Sequence, residues 1–186
     1  MYAIKIQKIT DLSPAKAHIS ASVMGGLESK LKNLNRIYAS EHSPMYTQIY
    51  TIDMNIPSFV ATHLRTHKKN FIAEVVSTNR IDRNGGVKAG RETVVHMQIM
   101  CNAKVIVDMA RKRLCKKASI ETRQVMEGIR IELGRQGDEL ARFLVPSCIY
   151  RNGLCGEFEC CGFNKERNLT YAMKQNDYNR LFKTSK

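Results

Sequence analysis

Apolar and polar residues alternate along residues 2–9 and again along 92–100. A period of two is typical of a strand that buries one face, so we expect strands at both places. Residues 46–55 are rich in β-branched and aromatic side chains, and 71–77 form a short, mainly apolar run. Both features favour strands, and the sequence therefore predicts four of them.

Helical signals lie between and after these strands. Pro14 suits the first turn of a helix, and Gly25 and Gly26 suit its end. Further helices are predicted over a basic stretch at 27–38, over 58–69 and 102–118, from an N-cap at Ser119 onwards, and over 138–145. Strands interleaved with helices predict an α/β or α+β fold.

The length and composition fit a compact domain, because 186 residues of which 43% are hydrophobic can bury a core. We expect this domain at 1–146, followed at 147–186 by a cysteine-rich loop and a basic C-terminal arm. No apolar run is long enough to span a bilayer, and the first ten residues lack the continuous apolar block of a secretory signal. These features favour a cytoplasmic location without membrane contact.

The chain is strongly basic. Thirty Lys and Arg residues against 17 Asp and Glu give a formal net charge of +13. Such a charge attracts anionic partners, among them nucleotides and nucleic acid. The sequence has no aromatic RNA-binding signature, zinc-finger spacing or leucine zipper, so a nucleic-acid partner is supported by charge alone.

Four of the six cysteines follow the spacing C-x6-C-x4-C-C near the end of the chain. This spacing matches no common zinc motif, and no cysteine lies in a recognisable catalytic motif. Buried structural thiols are the favoured interpretation, with metal binding or redox chemistry as the alternative. The six are Cys101, Cys115, Cys148, Cys155, Cys160 and Cys161.

One predicted helix carries a basic face. Asn102 and Arg113 are eleven residues apart, about three helical turns, and therefore point the same way. Their amide and guanidinium groups suit a flat anionic ligand, with Lys104, Lys112 and Lys117 at the margins. A solvated basic surface is the alternative interpretation.

Two polar clusters flank the strand predicted at 71–77. Before it, His63 and His67 share a helical face at a spacing of four. Without a third ligand or a nearby glutamate, we expect contacts with an anion or a ring, and we predict no metal site. The second cluster either binds a phosphate or forms an ordinary polar turn, and consists of Ser77, Asn79, Arg80 and Arg83.

Three longer stretches occur in the order EHSPMYTQIYTIDMNIPSFVATHLRTHK, VSTNRIDR and NAKVIVDMARKRLCKKASIETRQ. Together they resemble three motifs of the flavin-dependent thymidylate synthase family. These are a strand running into a helix that ends in Q-x-x-R-H-R, then S-x-N-E-x-S-x-R, then a helix beginning N-A-R. The resemblance covers most of residues 39–124 and implies a central mixed or antiparallel sheet packed with helices.

In that family a homotetramer forms its active sites between subunits and binds FAD, deoxyuridine monophosphate (dUMP) and methylene-tetrahydrofolate. The resemblance therefore implies an FAD-dependent enzyme that transfers a one-carbon unit to dUMP or a related pyrimidine nucleotide. NADPH and methylene-tetrahydrofolate would be its co-substrates. The family needs no cysteine nucleophile, so positioning, electrostatics and the cofactor carry the chemistry.

The family motifs imply roles for individual residues. Arg113 matches the arginine that reaches the nucleotide base and His67 matches the histidine of R-H-R, so these two are the implied catalytic residues. Arg83 is the implied phosphate-binding arginine. Substrate contacts are also implied for His63, Ser77 and Arg80, and flavin contacts for Ser43, Lys68, Asn79, Asn102, Lys104 and Lys117.

Several positions depart from the family motifs. Thr66 replaces the first arginine of R-H-R and His63 replaces its glutamine. Tyr46 and Arg80 each stand where the motifs have a glutamate. These departures favour an alternative from another class, a protein that binds and sequesters a nucleotide without catalysis. A weaker alternative is a basic nucleic-acid-binding protein.

Overall fold

The computed structural model describes residues 2–22, 25–78, 80–83 and 88–163, and the backbone of 169–170. Its strands are β1 (Ile4–Lys8), β2 (Ile49–Pro57), β3 (Phe71–Val76), β4 (Val94–Asn102), β5 (Leu154–Cys155) and β6 (Leu169–Thr170). Its helices are α1 (Ser13–Ser22), α2 (Asn35–Ser40), α3 (Ser58–Arg65), α4 (Ala103–Arg113), α5 (Ile120–Arg135) and α6 (Ser147–Tyr150). The first four strands form one antiparallel sheet in the order β1-β2-β4-β3.

One face of this sheet forms the core. β2 and β4 pair so that Ile52 lies opposite Ile99 and Met54 opposite Met97, and all four side chains are buried. The intervening side chains of β4 are mostly exposed. The alternation predicted at 92–100 is therefore confirmed. The predicted fold class is confirmed as well, since an antiparallel sheet packs against helices.

Side-chain caps begin the two longest helices. The Asn102 side-chain oxygen accepts a hydrogen bond from the backbone N–H of Val105 at 3.1 Å, where β4 turns into α4. Ser119 Oγ accepts one from the backbone N–H of Thr122 at 3.3 Å, which confirms the N-cap predicted for α5. Each cap satisfies an N–H that has no partner within the helix. None of the helices described is long and apolar enough to cross a bilayer.

The basic stretch 27–38 is mostly not helical, contrary to the prediction. Helix α2 begins only at Asn35. The residue before it, Leu34, is fully buried, and its backbone N–H donates to Glu139 Oε2 at 2.7 Å. This contact spans more than half of the chain, so a tertiary interaction and not local propensity sets the helix start.

The helix predicted over 58–69 ends at Arg65. The Thr66 hydroxyl donates to the carbonyl oxygen of His63 at 2.8 Å, and the backbone N–H of His67 donates to the carbonyl oxygen of Leu64 at 3.0 Å. These bonds close the last turn. His67 therefore lies beyond α3, and the prediction that both histidines share one helical face is wrong.

The cysteine-rich segment after residue 146 packs against the main sheet domain. Helix α6 contacts α4, and β5 pairs in parallel with β6. The predicted boundary between a domain at 1–146 and a loop and arm at 147–186 remains a prediction.

Candidate functional site

Arg113, the last residue of α4, ties that helix to the end of α3. Its Nη2 donates to the carbonyl oxygen of His63 at 2.9 Å and to Thr66 Oγ1 at 2.6 Å. These two bonds fix the guanidinium in one orientation. Burial lowers the pKa of Arg113. Its Nε is also buried and has no hydrogen-bond partner among the residues described.

His67 is the second half-buried group at this end of α4. Burial lowers the pKa of its imidazole, and the positive charge of Arg113 lowers it further. The ring is therefore neutral at pH 7. Its Nε2 is buried without a hydrogen-bond partner in the described part of the chain. A neutral imidazole has one donor and one acceptor nitrogen, which suits a ligand that presents amide groups.

His63 is held by its own contacts. Its Nδ1 lies 3.0 Å from Thr122 Oγ1 on α5, and its ring packs edge-on against Phe59 with 5.6 Å between centroids. The side chain therefore links α3 to α5, and its backbone carbonyl supports Arg113. No three His, Cys, Asp or Glu side chains of the described residues are arranged to hold a metal ion.

A pocket of about 320 Å³ opens beside His67. Four cationic side chains line it against two carboxylates, and they are Arg111, Lys112, Lys116 and Arg151. Its volume lies at the lower end of the range for small-molecule sites, roughly 300–1,000 Å³. The excess of cationic groups favours an anionic ligand.

One face of α4 belongs to a charge network formed by Glu41, Lys104, Asp108 and Arg111. Glu41 forms ion pairs with Arg111 and, at 3.6 Å, with Lys104. Lys104 also pairs with Asp108, and Asp108 lies 3.5 Å from Arg111 Nη1. Two acidic and two basic groups neutralise one another in this α4 charge network. Lys104, an implied flavin contact, is thus already paired within the chain.

Two other implied flavin contacts also have partners within the chain. Ser43 Oγ lies 3.0 Å from His18 Nε2, at the surface. The Asn102 side-chain oxygen is occupied by its cap on α4, which leaves the amide NH₂ group as the part that can donate to a ligand. The face shared by Asn102 and Arg113 is therefore not a uniform binding wall.

Two of the three remaining implied flavin contacts are surface cations. Lys68 begins a short 3-10 turn after α3 and is exposed. Lys117 is exposed as well, and its Nζ lies 3.8 Å from Glu159. These two ammonium groups fit the diphosphate of a flavin nucleotide by charge. Asn79 lies outside the described residues.

The implied phosphate-binding residues lie at the other end of the sheet. Ser77 pairs with His96 near the start of β4. The backbone N–H of Ser77 donates to the His96 carbonyl oxygen at 2.9 Å, and Ser77 Oγ accepts a hydrogen bond from the backbone N–H of His96 at 3.1 Å. Arg80 makes two bonds of 2.9 Å to Asp82 in the same turn, and Arg83 is exposed. His96 and the end of β4 are six residues apart, about 20 Å. Within a single chain, these residues are therefore distant from the start of α4.

Sequence analysis missed two parts of this arrangement. Thr66 stands where the family motif has an arginine, yet its hydroxyl accepts from Arg113, 47 residues away. No local pattern encodes that bond. The convergence of the late cysteines on the pocket beside His67 was missed as well. Their C-x6-C-x4-C-C spacing was the only available signal.

The fold is that of the thymidylate synthases called ThyX. No family model matches the sequence and no curated protein matches it significantly. Two structures of ThyX from Helicobacter pylori with FAD and dUMP match with TM-scores of 0.62 and 0.61, at 10% and 12% identity. The two alignments span 78% and 76% of this chain, and each spans 99% of the ThyX chain. A UMP/dUMP methylase, PolB from Streptomyces cacaoi bound with 5-Br dUMP, matches with a TM-score of 0.56 at 12% identity. This alignment spans 77% of this chain and 96% of the PolB chain.

Proposed function

We propose that this protein binds a pyrimidine nucleotide at the C-terminal end of α4 and methylates it in a flavin-dependent reaction. The one-carbon unit would come from methylene-tetrahydrofolate, and dUMP or a related nucleotide would accept it. The observation that carries the proposal is the pair formed by Arg113 and His67. Both are half-buried and both keep a buried nitrogen without a partner among the described residues. The fold shared with ThyX and with a UMP/dUMP methylase supports the choice of ligand.

Arg113 would position the base. Because Nη2 is held by the end of α3, the rest of the guanidinium is oriented before a ligand arrives. Planar donors in a fixed orientation suit the carbonyl oxygens of a uracil ring. Developing negative charge on such an oxygen would be stabilised without any rearrangement of the protein.

His67 would act in its neutral form. A lowered pKa keeps the imidazole uncharged at pH 7, so one nitrogen donates and the other accepts. Placed beside the guanidinium of Arg113, it would bind the amide edge of the ring. Reduced flavin, when bound, supplies the electrons for the reaction, and Lys68 and Lys117 are the residues available to hold its diphosphate.

A complete site would need a second copy of the chain. Ser77, Arg80 and Arg83 lie at one end of β4, whereas Asn102, an implied flavin contact, lies at the other, about 20 Å away. A second subunit can bring the implied phosphate-binding residues of one copy next to Asn102 of the other. We therefore propose a homo-oligomer, with a tetramer as the expected form.

Spectroscopy and turnover test the enzymatic proposal. Purified protein incubated with FAD and desalted is expected to retain the visible absorbance of flavin. With dUMP, methylene-tetrahydrofolate and NADPH it is expected to oxidise NADPH and to yield a methylated nucleotide by mass spectrometry. Retention of no flavin together with no NADPH oxidation would contradict the enzymatic proposal.

A second candidate function is nucleotide binding without catalysis. Thr66 favours it, because the hydroxyl that replaces an arginine of the family motif also engages Arg113. One cation is thereby lost from the site and a second is restrained. Calorimetry with a panel of nucleotides separates the candidates, since binding without turnover supports this one. Absence of binding by every nucleotide would contradict both.

A further inference from the structure

Five of the six cysteines line the pocket beside His67, although they come from separate parts of the chain. They are Cys115 after α4, Cys148 in α6, Cys155 in β5, and Cys160 and Cys161 in the loop that follows. None of the five forms a disulfide. The sixth, Cys101, lies apart in the core, where burial raises its pKa to about 12. Convergence of five thiols on one pocket calls for an explanation other than core packing.

Two of these thiols are close neighbours. Cys155 and Cys160 line the same pocket, and burial together with the neighbouring Cys160 side chain raises the pKa of Cys155. Cys155 is only 5% exposed, whereas Cys160 is half-buried and accessible from the pocket. The residues between them are exposed, with Phe158 fully so. The connecting loop therefore has room to adjust as the sulfur atoms approach the bonded distance of about 2.0 Å.

The charges around the pocket favour an anionic reagent. Four cationic side chains line the cavity against two carboxylates, and they are Arg111, Lys112, Lys116 and Arg151. This excess of positive charge attracts a small anionic disulfide such as glutathione disulfide. Because no three ligand side chains of the described residues are arranged around a metal position, the geometry favours a pair of thiols over a metal site.

We propose that Cys155 and Cys160 are a redox modification site, which forms a reversible intramolecular disulfide by exchange with a low-molecular-weight disulfide. A disulfide of this kind in a reducing compartment is transient and responds to the redox state. The proposal is independent of the proposed function, since it concerns only the thiols and an external oxidant.

The exchange proceeds in two steps that balance. The thiolate of Cys160 attacks one sulfur of the external disulfide RSSR, forming a mixed disulfide and releasing RS⁻, which takes up a proton. The thiolate of Cys155 then attacks the Cys160 sulfur, closing the Cys155–Cys160 bond and releasing the second RS⁻. The two protein thiols lose two electrons and two protons, and RSSR is reduced to two RSH. Burial raises the pKa of Cys155, so the second step is expected to speed up as the pH rises.

Mass spectrometry of the full-length protein tests the proposal. Reduced protein is treated with glutathione disulfide, its remaining thiols are alkylated, and it is digested. The expected product is lighter than the reduced chain by two hydrogens and contains a Cys155–Cys160 cross-link that dithiothreitol reverses. A cross-link of Cys160 to Cys115 or Cys148 instead, or no cross-link, would overturn the assignment.

Three serine variants distinguish the roles of the thiols. Cys155→Ser is expected to stop at the mixed disulfide, with one glutathione attached to Cys160. Cys160→Ser is expected to form neither product at this site. Cys161→Ser is the matched control, because this thiol lies in the same loop and is exposed, and it is expected to form the cross-link at the wild-type rate. Equal loss of the cross-link in Cys161→Ser would contradict the proposed pair.

Metal analysis provides an independent check. Purified protein is assayed for zinc, copper and iron before and after the thiols are alkylated. The proposal predicts less than stoichiometric metal and ready alkylation of Cys160. One equivalent of metal released only on alkylation would show that the thiols are ligands, and would overturn the redox proposal.

Discussion

Two faces of α4 differ in how their charges are satisfied. On one face, Lys104 and Arg111 meet Glu41 and Asp108, and the four groups neutralise one another. Arg113 lies on another face, in the last turn, and has bonds to a carbonyl and a hydroxyl but to no carboxylate among the described residues. The same helix therefore carries a closed network on one face and an open cationic site at Arg113. Paired charges hold this fold together, whereas charges left without an anion are available to bind one.

The largest effect on stability is expected from Glu41→Gln. The change leaves Arg111 partly buried with its main anionic partner removed, and Lys104 keeps only Asp108. Loss of one partner from such a network costs about 2–3 kcal/mol, less than for a fully buried pair. Urea unfolding monitored by circular dichroism measures this loss.

Glu92→Gln is the matched control for that change. Glu92 pairs with Arg91 at 3.6 Å, but both side chains are more than 70% exposed. The Glu92→Gln change is expected to lower the free energy of unfolding by at most about 0.5 kcal/mol. Equal losses in the two variants would show that the α4 charge network is no more important than a surface ion pair.

The next largest effect is expected on ligand binding by Arg113→Ala. Removal of the oriented guanidinium is expected to weaken dUMP binding by at least about tenfold, equivalent to 1.4 kcal/mol. The free energy of unfolding is expected to fall by about 1 kcal/mol, because two hydrogen bonds to α3 are lost. Titration calorimetry and urea unfolding measure the two quantities.

Arg135→Ala controls for the loss of one positive charge. Arg135 lies at the end of α5, and its side chain is 72% exposed. The dUMP affinity of the Arg135→Ala variant is expected to equal that of the wild type. Unchanged binding in Arg113→Ala would remove this arginine from the site.

A smaller effect is expected on the pH dependence of stability through His67. Burial and Arg113 lower its pKa in the folded chain, whereas an unfolded histidine titrates near about 6.5. As the pH falls below that value, the unfolded chain binds the proton first and the folded state loses stability. We expect His67→Gln to lose less stability than the wild type between neutral pH and mildly acidic pH.

Arg113→Gln sharpens this test. Because the charge of Arg113 is the second cause of the lowered pKa, its removal is expected to reduce the pH-dependent loss without abolishing it. Unfolding free energies measured on both sides of about pH 6.5 provide the comparison. Identical pH profiles for His67→Gln and the wild type would show that this histidine is not the group responsible.

The smallest effect is expected from Arg80→Gln. Arg80 pairs with Asp82 two residues away, and both side chains are more than half exposed. Such a pair contributes less than about 0.5 kcal/mol to stability. Urea unfolding of Arg80→Gln beside Glu41→Gln therefore compares an exposed local pair with the partly buried network. A loss above about 1 kcal/mol would show that this turn has a structural role.

Local sequence signals predicted the sheet and the start of α5. The alternation in β4 and the cap at Ser119 depend on neighbours within a few residues, so the sequence alone reveals them. The start of α2 depends instead on a bond from Leu34 to Glu139. Contacts between residues far apart in the sequence have no local signature.

The same distinction applies to the candidate site. The motif positions imply Arg113 and His67, and the two lie close together, with Arg113 at the end of α4 and His67 just beyond α3. Their surroundings were not predictable, because Thr66 and the cysteine pocket reach them through the fold. The residues Ser77, Arg80 and Arg83 remain predicted substrate contacts whose test requires the oligomer.

The most direct test of the account is an NMR titration of the histidine side chains with dUMP. The ring resonances of His67, assigned by comparison with His67→Gln, are followed as nucleotide is added to the protein with and without FAD. If the Arg113 end of α4 is the nucleotide site, these resonances shift and saturate with dUMP, while those of His18 in α1 stay in place. Saturable shifts elsewhere without any change at His67, or no shifts at all, would contradict the account.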